Sequence, residues 1–180
     1  MKKFEIGIVI KYPLRTSVKF ARNYFRGKEI VVAEIGTYKG ENALNMLEKL
    51  KIKRIYLIDP YEAYGDYKED TASKNTDKNF KSAKRRLKKY SNRTIYIKKF
   101  SDEAWKFIPE ELDFIYLDGN HEYKYVKKDM EIYWKKLKKE GILAGHDISW
   151  PGVSKSFCEF VQEKDLNPNI QAMDWWIVKK

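Results

Sequence analysis

Apolar residues fall along this chain in two alternating rhythms. Unbroken runs of strand length occur at Ile30–Ile35, Arg54–Ile58, Thr94–Ile97, Leu112–Leu117, Ile142–Ala144 and Trp175–Val178. Between them, apolar side chains recur every three or four residues, the spacing that puts them on one face of a helix. Val18, Ala21 and Phe25 predict a helix over about Ser17–Arg26, stopped at Gly27, and Ala43, Leu47 and Leu50 one from about Gly40 to Leu50. Phe80, Ala83, Leu87 and Tyr90 share a face, and Asp102–Phe107 forms a short helix ended by Pro109. Val126, Met130, Tyr133 and Leu137 give the strongest amphipathic pattern, with Gly141 as its expected stop, and Val153–Glu163 supplies the last helix. Phe4, Ile6, Ile8 and Ile10 read as a short strand or an arm ended by Pro13. The strand runs are apolar throughout instead of at every second residue, which predicts a mostly parallel sheet covered by helices on both faces, an α/β fold.

Such sheets bind ligands beyond the C-terminal ends of their strands. The residues there are polar: Glu34, Asp59, Ser101, Asp118 and Asp147. After the first strand the chain turns through Gly36-Thr37-Tyr38-Lys39-Gly40 into a helix. Gly36 lets the backbone turn without a Cβ, and Gly40 lets the helix start lie close to whatever occupies the turn. A carboxylate at Glu34 is a poor host for phosphate and a good acceptor for an ammonium group or a sugar hydroxyl. The spacing is neither G-x-G-x-x-G nor G-x-x-x-x-G-K-[ST], which argues against NAD and ATP. Asp59 falls 19 residues after Gly40, where a carboxylate can accept from both hydroxyls of a ribose.

Glu34-Ile35-Gly36-Thr37-Tyr38-Lys39-Gly40 resembles the first motif, [ED]-x-G-x-x-x-G, of the class I S-adenosylmethionine (SAM) dependent methyltransferases. Asp118-Gly119-Asn120-His121 and Gly141-Ile142-Leu143-Ala144-Gly145-His146-Asp147 resemble the D-G-x-H and H-D blocks of a branch of small methyltransferases, so the resemblance covers about residues 30–178. It implies a Rossmann-like sheet whose last strand is antiparallel, and SAM held by Glu34, Gly36, Thr37, Gly40, Asp59, Ser101 and Asp118. Ser101 would lie at the adenine or, alternatively, serve as a helix N-cap. Metal-dependent O-methyltransferases place an acid at each of the strand ends of Asp118 and Asp147, a pair suited to Mg2+. They usually carry Asn or Asp directly after the second acid. Ile148 stands there, so Asn120 or His146 would have to complete the metal set with Asp118 and Asp147. His121 sits where those enzymes carry the base, and imidazole, with an ordinary pKa near 6.5, is competent at neutral pH. Catalysis is therefore assigned to His121 and Asp118, and the expected reaction is O-methyl transfer to a small hydroxylated molecule, a sugar or a phenol. An RNA or DNA methyltransferase and a non-catalytic binding module on the same fold remain as alternatives. No N-P-P-[YF] motif follows the fourth strand, which weighs against the former.

Length fits one domain over 1–180, with 1–28 as an N-terminal arm and helix. No run approaches a membrane span, and a cytoplasmic protein is expected. The lone Cys158 is expected as a small buried hydrophobe. The net charge of +11 suits polyanions, yet the runs Lys84–Lys89 and Lys135–Lys139 fall on the outer faces and last turns of helices, where cations suit the helix dipole. Weak, non-specific nucleic-acid binding is the expectation.

Overall fold

The run Ile30–Ile35 becomes an interior strand with all six residues buried, and the other apolar runs assemble on either side of it. The computed structural model describes residues 13–62 and 76–180. In chain order these hold α1 (Thr16–Phe25), β1 (Ile30–Ile35), α2 (Glu41–Lys49), β2 (Ile52–Ile58), α3 (Thr76–Arg86), a 3-10 turn at Lys88–Tyr90, β3 (Thr94–Ile97) and α4 (Ser101–Ala104), which runs on as a 3-10 turn over Trp105–Phe107. Then come β4 (Leu112–Leu117), α5 (Tyr123–Lys136), β5 (Leu137–Gly145), α6 (Pro151–Glu163), β6 (Pro168–Gln171) and β7 (Asp174–Val178). The seven strands form one sheet in the order β3-β2-β1-β4-β5-β7-β6. β1 through β5 pair in parallel, while β7 runs antiparallel to both β5 and β6. The expected strand or arm at Phe4–Ile10 and the Tyr-rich stretch of residues 63–75 lie outside the described residues.

Alternate residues of each strand feed opposite cores. Val31, Ala33 and Ile35 join Tyr56, Ile58 and Ile115 under α5 and α6, which contribute Met130, Tyr133, Phe157 and Phe160. Ile30 and Val32 join Ile55, Leu57 and Phe114 under α1 and α2, which contribute Val18, Ala21, Met46 and Leu47. Each of the Val, Leu, Ile, Met and Phe side chains among them contributes about 1.5–3 kcal/mol on burial. The double cover explains why the strands are apolar throughout.

Two expectations are corrected and one strand is added. The α5 pattern does not run to Gly141: Leu137 already pairs with Leu112, and β5 spans nine residues. Gly141 lies inside that strand, where a Cβ would come 2.7 Å from Leu137 Cδ1, and Glu140 takes the left-handed conformation at φ 61. Strand β6 was not anticipated, because its Pro168-Asn169-Ile170-Gln171 is exposed at every position and so carries no alternation; Pro is tolerated on an edge strand. Cys158 is exposed, not buried, since the buried side of α6 is set by Val153, Ser156, Phe157 and Phe160.

Candidate active site

Hydrogen bonding between strands continues past their C-terminal ends and gathers the polar residues there. Gly36 N donates to Ile58 O at 2.9 Å, Asp118 N to Ile35 O at 2.8 Å, His146 N to Leu117 O at 3.1 Å and Asp59 N to Ile97 O at 3.3 Å. Gly36 has φ 88, and a Cβ built on it would stand 1.9 Å from Asp118 O. Only glycine lets the β1–α2 turn lie on the Asp118 loop. Gly40, at φ 76, is the N-cap of α2 and gives it no side-chain cap. A Cβ there would come 3.2 Å from Leu87 Cδ1 and 3.5 Å from Ala83 of the neighbouring helical segment.

Between this turn, the first turns of α2 and the residues before α1 lies a cavity of about 400 Å³, whose walls include Glu34, Gly36, Thr37, Asn42, Arg15 and Asp118. Glu34 is buried, and its Oε1 accepts from Asn42 Nδ2 at 3.0 Å. Glu34 Oε2 and Asn42 Oδ1 are buried with no well-formed hydrogen bond among the described residues, and the Thr37 hydroxyl lies near enough to the Glu34 carboxyl to lower it slightly without making one. Orphaned acceptors are costly in a finished core and suit a site completed by a ligand that donates. Burial pushes the Glu34 carboxyl well above its ordinary range, against the hydrogen bond from Asn42.

Asp59 stands at the end of β2, accepting from Tyr38 N (2.7 Å) through one oxygen and from Tyr61 N (2.8 Å) through the other. Each oxygen keeps a further lone pair. Asp59 and Ser101 are not among the walls of the cavity. Ser101 is also not the N-cap of α4, a position held by Phe100. Its hydroxyl meets Asp129 of α5, a fully buried carboxyl that burial pushes up to about 7 against that hydrogen bond. Native Asp129 thus keeps a proton that the unfolded chain has lost over about pH 4–7, so its contribution to stability falls as pH rises through that window. Asp129→Asn is expected to be more stable than the parent above pH 7, by up to about 4 kcal/mol, because each pH unit separating the native and unfolded titrations is worth roughly 1.36 kcal/mol. Denaturant titrations at pH 5 and pH 8 check this, and an advantage that does not grow with pH contradicts it.

Beside the cavity stands a chain of charged groups. His121 Nε2 lies 3.1 Å from Asp147 Oδ2, and His146 Nδ1 lies 2.9 Å from Asp147 Oδ1. Burial raises the Asp147 carboxyl, but the two imidazoles beside it outweigh that and hold the group well below the usual carboxylate range. Asp147 itself is left-handed, at φ 57. Trp150, half-exposed, stacks on His121 with ring centroids 5.0 Å apart and planes 20° apart, fixing the imidazole's plane. Arg15, the residue before α1, contacts His146 Nε2 with one guanidinium nitrogen and lies 3.6 Å from Asp118 Oδ2 with another. Burial raises the Asp118 carboxyl, and Arg15 is the strongest influence opposing it. Behind them, buried Asp174 accepts from Ser17 N (2.8 Å) and Ser17 Oγ (2.7 Å), tying α1 to the sheet beside His146.

Of the expected metal set, Asp118 and Asp147 come together. The third group near them is His121, with ligand atoms of the three within 4.8 Å of one another, and not His146. Asn120 Oδ1 is used by Glu122 N at 2.8 Å. Sequence reasoning missed Arg15, Asn42, Trp150 and Asp174. Asn42 carried a signal, lying two residues into the helix that follows the glycine turn, whereas Arg15 and Asp174 reach the site only through the packing of α1 and β7.

Residues 33–148 match a family described as a methyltransferase domain. An uncharacterised protein, R132, of Acanthamoeba polyphaga mimivirus is 30% identical over 130 residues, 69% of this chain and 54% of that protein, so the match spans about half of the relative's length. Among solved structures, an rRNA methylase from Streptococcus thermophilus superposes with TM-score 0.64 at 15% identity, covering 96% of this chain and 99% of that one. CalS11, a TDP-rhamnose 3'-O-methyltransferase of calicheamicin biosynthesis, gives TM-score 0.64 at 14% identity, covering 92% and 81%. A Streptococcus mutans methyltransferase solved in complex with SAH gives 0.68 at 12% identity, covering 93% and 100%.

Proposed function

Because the chain belongs to the methyltransferase-domain family, we propose that it transfers the methyl group of SAM to the hydroxyl oxygen of a small molecule. The observation that carries this reading is the His121–Asp147 pair: a base and its orienting carboxylate, fixed 3.1 Å apart beside Asp118 at the edge of the cavity.

SAM supplies an electrophilic methyl group on a sulfonium. Glu34 takes its ammonium group through the orphaned Oε2, and Asp59 takes the ribose hydroxyls through its remaining lone pairs. Glu34 must ionise to pair with an ammonium, so affinity rises as pH rises through its elevated titration. The His121 imidazole stands 3.1 Å from Asp147 Oδ2 through Nε2. In its neutral form this imidazole would remove the acceptor's proton as the oxygen–carbon bond forms and the carbon–sulfur bond breaks, leaving S-adenosylhomocysteine, a methyl ether and a protonated imidazole. Asp147, held ionised by the two imidazoles beside it, would stabilise that imidazolium.

Two of the lysines of the second basic run are engaged within the protein, Lys136 at Ile108 O and Lys138 at Asp113, which supports small-molecule over nucleic-acid acceptors. The test is a panel of sugars, phenols and generic RNA, scored for S-adenosylhomocysteine release. Release with a hydroxylated small molecule is expected. RNA should bind weakly and lose that binding steeply between about 50 and 200 mM salt. Turnover on RNA alone, with affinity that persists in salt, would replace this reading with the nucleic-acid one.

A further inference from the structure

We propose that Arg15 is the built-in cation of this site, holding Asp118 and, through His146, Asp147, where a divalent ion would otherwise bridge the two carboxylates. The proposal rests on the methyltransferase reading only for its catalytic consequence, that proton removal proceeds without Mg2+.

The rim gathers the carboxylates of Glu34, Asp118, Asp147 and Asp174, and acids this close cannot all ionise without a compensating charge. Arg15 carries a permanent one. Its guanidinium reaches Asp118 Oδ2 at 3.6 Å and donates to His146 Nε2, which fixes the tautomer in which His146 Nδ1–H donates to Asp147 Oδ1. His121 Nε2 lies 3.1 Å from the other oxygen of Asp147. Each oxygen of that carboxylate thus faces an imidazole, and Arg15 stands behind one of the two rings.

A magnesium ion fits these residues poorly. It would have to displace both imidazoles from Asp147 and sit beside the guanidinium on Asp118. One of the three groups within reach is an imidazole, whereas Mg2+ takes an octahedron of oxygens. The position after Asp147, where a further oxygen ligand would be needed, is Ile148, packed against the core. Arg15 also lies on the cavity wall, so its charge faces the bound cofactor and acceptor. Its anchor is independent of the site's own loops: Ser17, two residues on, is clamped to Asp174 through both its amide and its hydroxyl.

The experiment is direct titration of the full chain with Mn2+, followed by calorimetry and by loss of the free-ion paramagnetic signal. The parent is expected to show no binding tighter than millimolar. Arg15→Gln, which keeps the size and loses the charge, should gain roughly ten- to a hundredfold in Mn2+ affinity through removal of the repulsion. Adding Asp118→Asn should abolish the gain, and Arg15→Lys should behave as the parent. Micromolar Mn2+ binding by the parent, lost in Asp118→Asn, overturns the proposal, as does an Arg15→Gln protein that gains nothing while keeping the parent's circular dichroism spectrum. These titrations need no methyl acceptor, so they decide the question even where no transfer is found. With an acceptor in hand, turnover by the parent should be insensitive to EDTA, and the lowered turnover of Arg15→Gln should be partly restored by Mn2+.

Discussion

Replacing His121 by alanine is expected to lower turnover by about 10²–10⁴-fold and to leave SAM affinity unchanged. A hydroxyl is a feeble nucleophile until its proton leaves, and in this site the proton's destination is the imidazole. Its ring is fixed from two directions, by Asp147 at Nε2 and by the Trp150 stack on its face. Asp147→Asn should cost a large part of the same factor, because an amide no longer stabilises the imidazolium. Single-turnover release of S-adenosylhomocysteine between pH 6 and 9 makes the measurement. Full activity of His121→Ala across that range would remove the base assignment.

Gly36→Ala is expected to be the most damaging single methyl group that can be added to the site. The new Cβ would meet Asp118 O at 1.9 Å, its carbonyl carbon at 2.4 Å and Gly119 Cα at 2.8 Å, all backbone atoms. Those atoms cannot give way cheaply, since Asp118 N and Gly36 N are both held by strand hydrogen bonds. With the left-handed φ added, the cost is on the order of 3–5 kcal/mol. Gly40→Ala meets nothing closer than Leu87 Cδ1 at 3.2 Å and should cost about 1–2 kcal/mol. Chemical denaturation of the two variants side by side gives the comparison. Equal stabilities would mean that the contact between the β1–α2 turn and the Asp118 loop does not hold the site together.

The α/β architecture was legible because the central strands β1 and β4 are covered on both faces and the helices on one, so burial is written into the spacing of apolar residues. Where burial writes nothing, the sequence was silent: β6 is exposed throughout, and its existence depends on β7 having an open edge. The α5–β5 boundary was misplaced because Leu137 satisfies both a helical spacing and a strand pairing, and its contact with Leu112 decides for the strand. Within the site, the acids were found because strand ends are where a parallel sheet presents its ligands. The partners that set their protonation were not. Arg15 lies more than a hundred residues from Asp118 and His146, and nothing local marks it. The same holds for Ser101, whose neighbour Asp129 is supplied by a different helix.

The central claim, that SAM lies along the glycine turn with its ammonium at Glu34 in the cavity and its ribose at Asp59 outside the cavity wall, is tested most directly by calorimetric titration of SAM into the parent, Glu34→Gln and Asp59→Ala. A charge-assisted hydrogen bond is worth about 1.5–3 kcal/mol, so each variant should bind SAM roughly ten- to a hundredfold more weakly while keeping its fold. Undiminished affinity in both variants would contradict the placement.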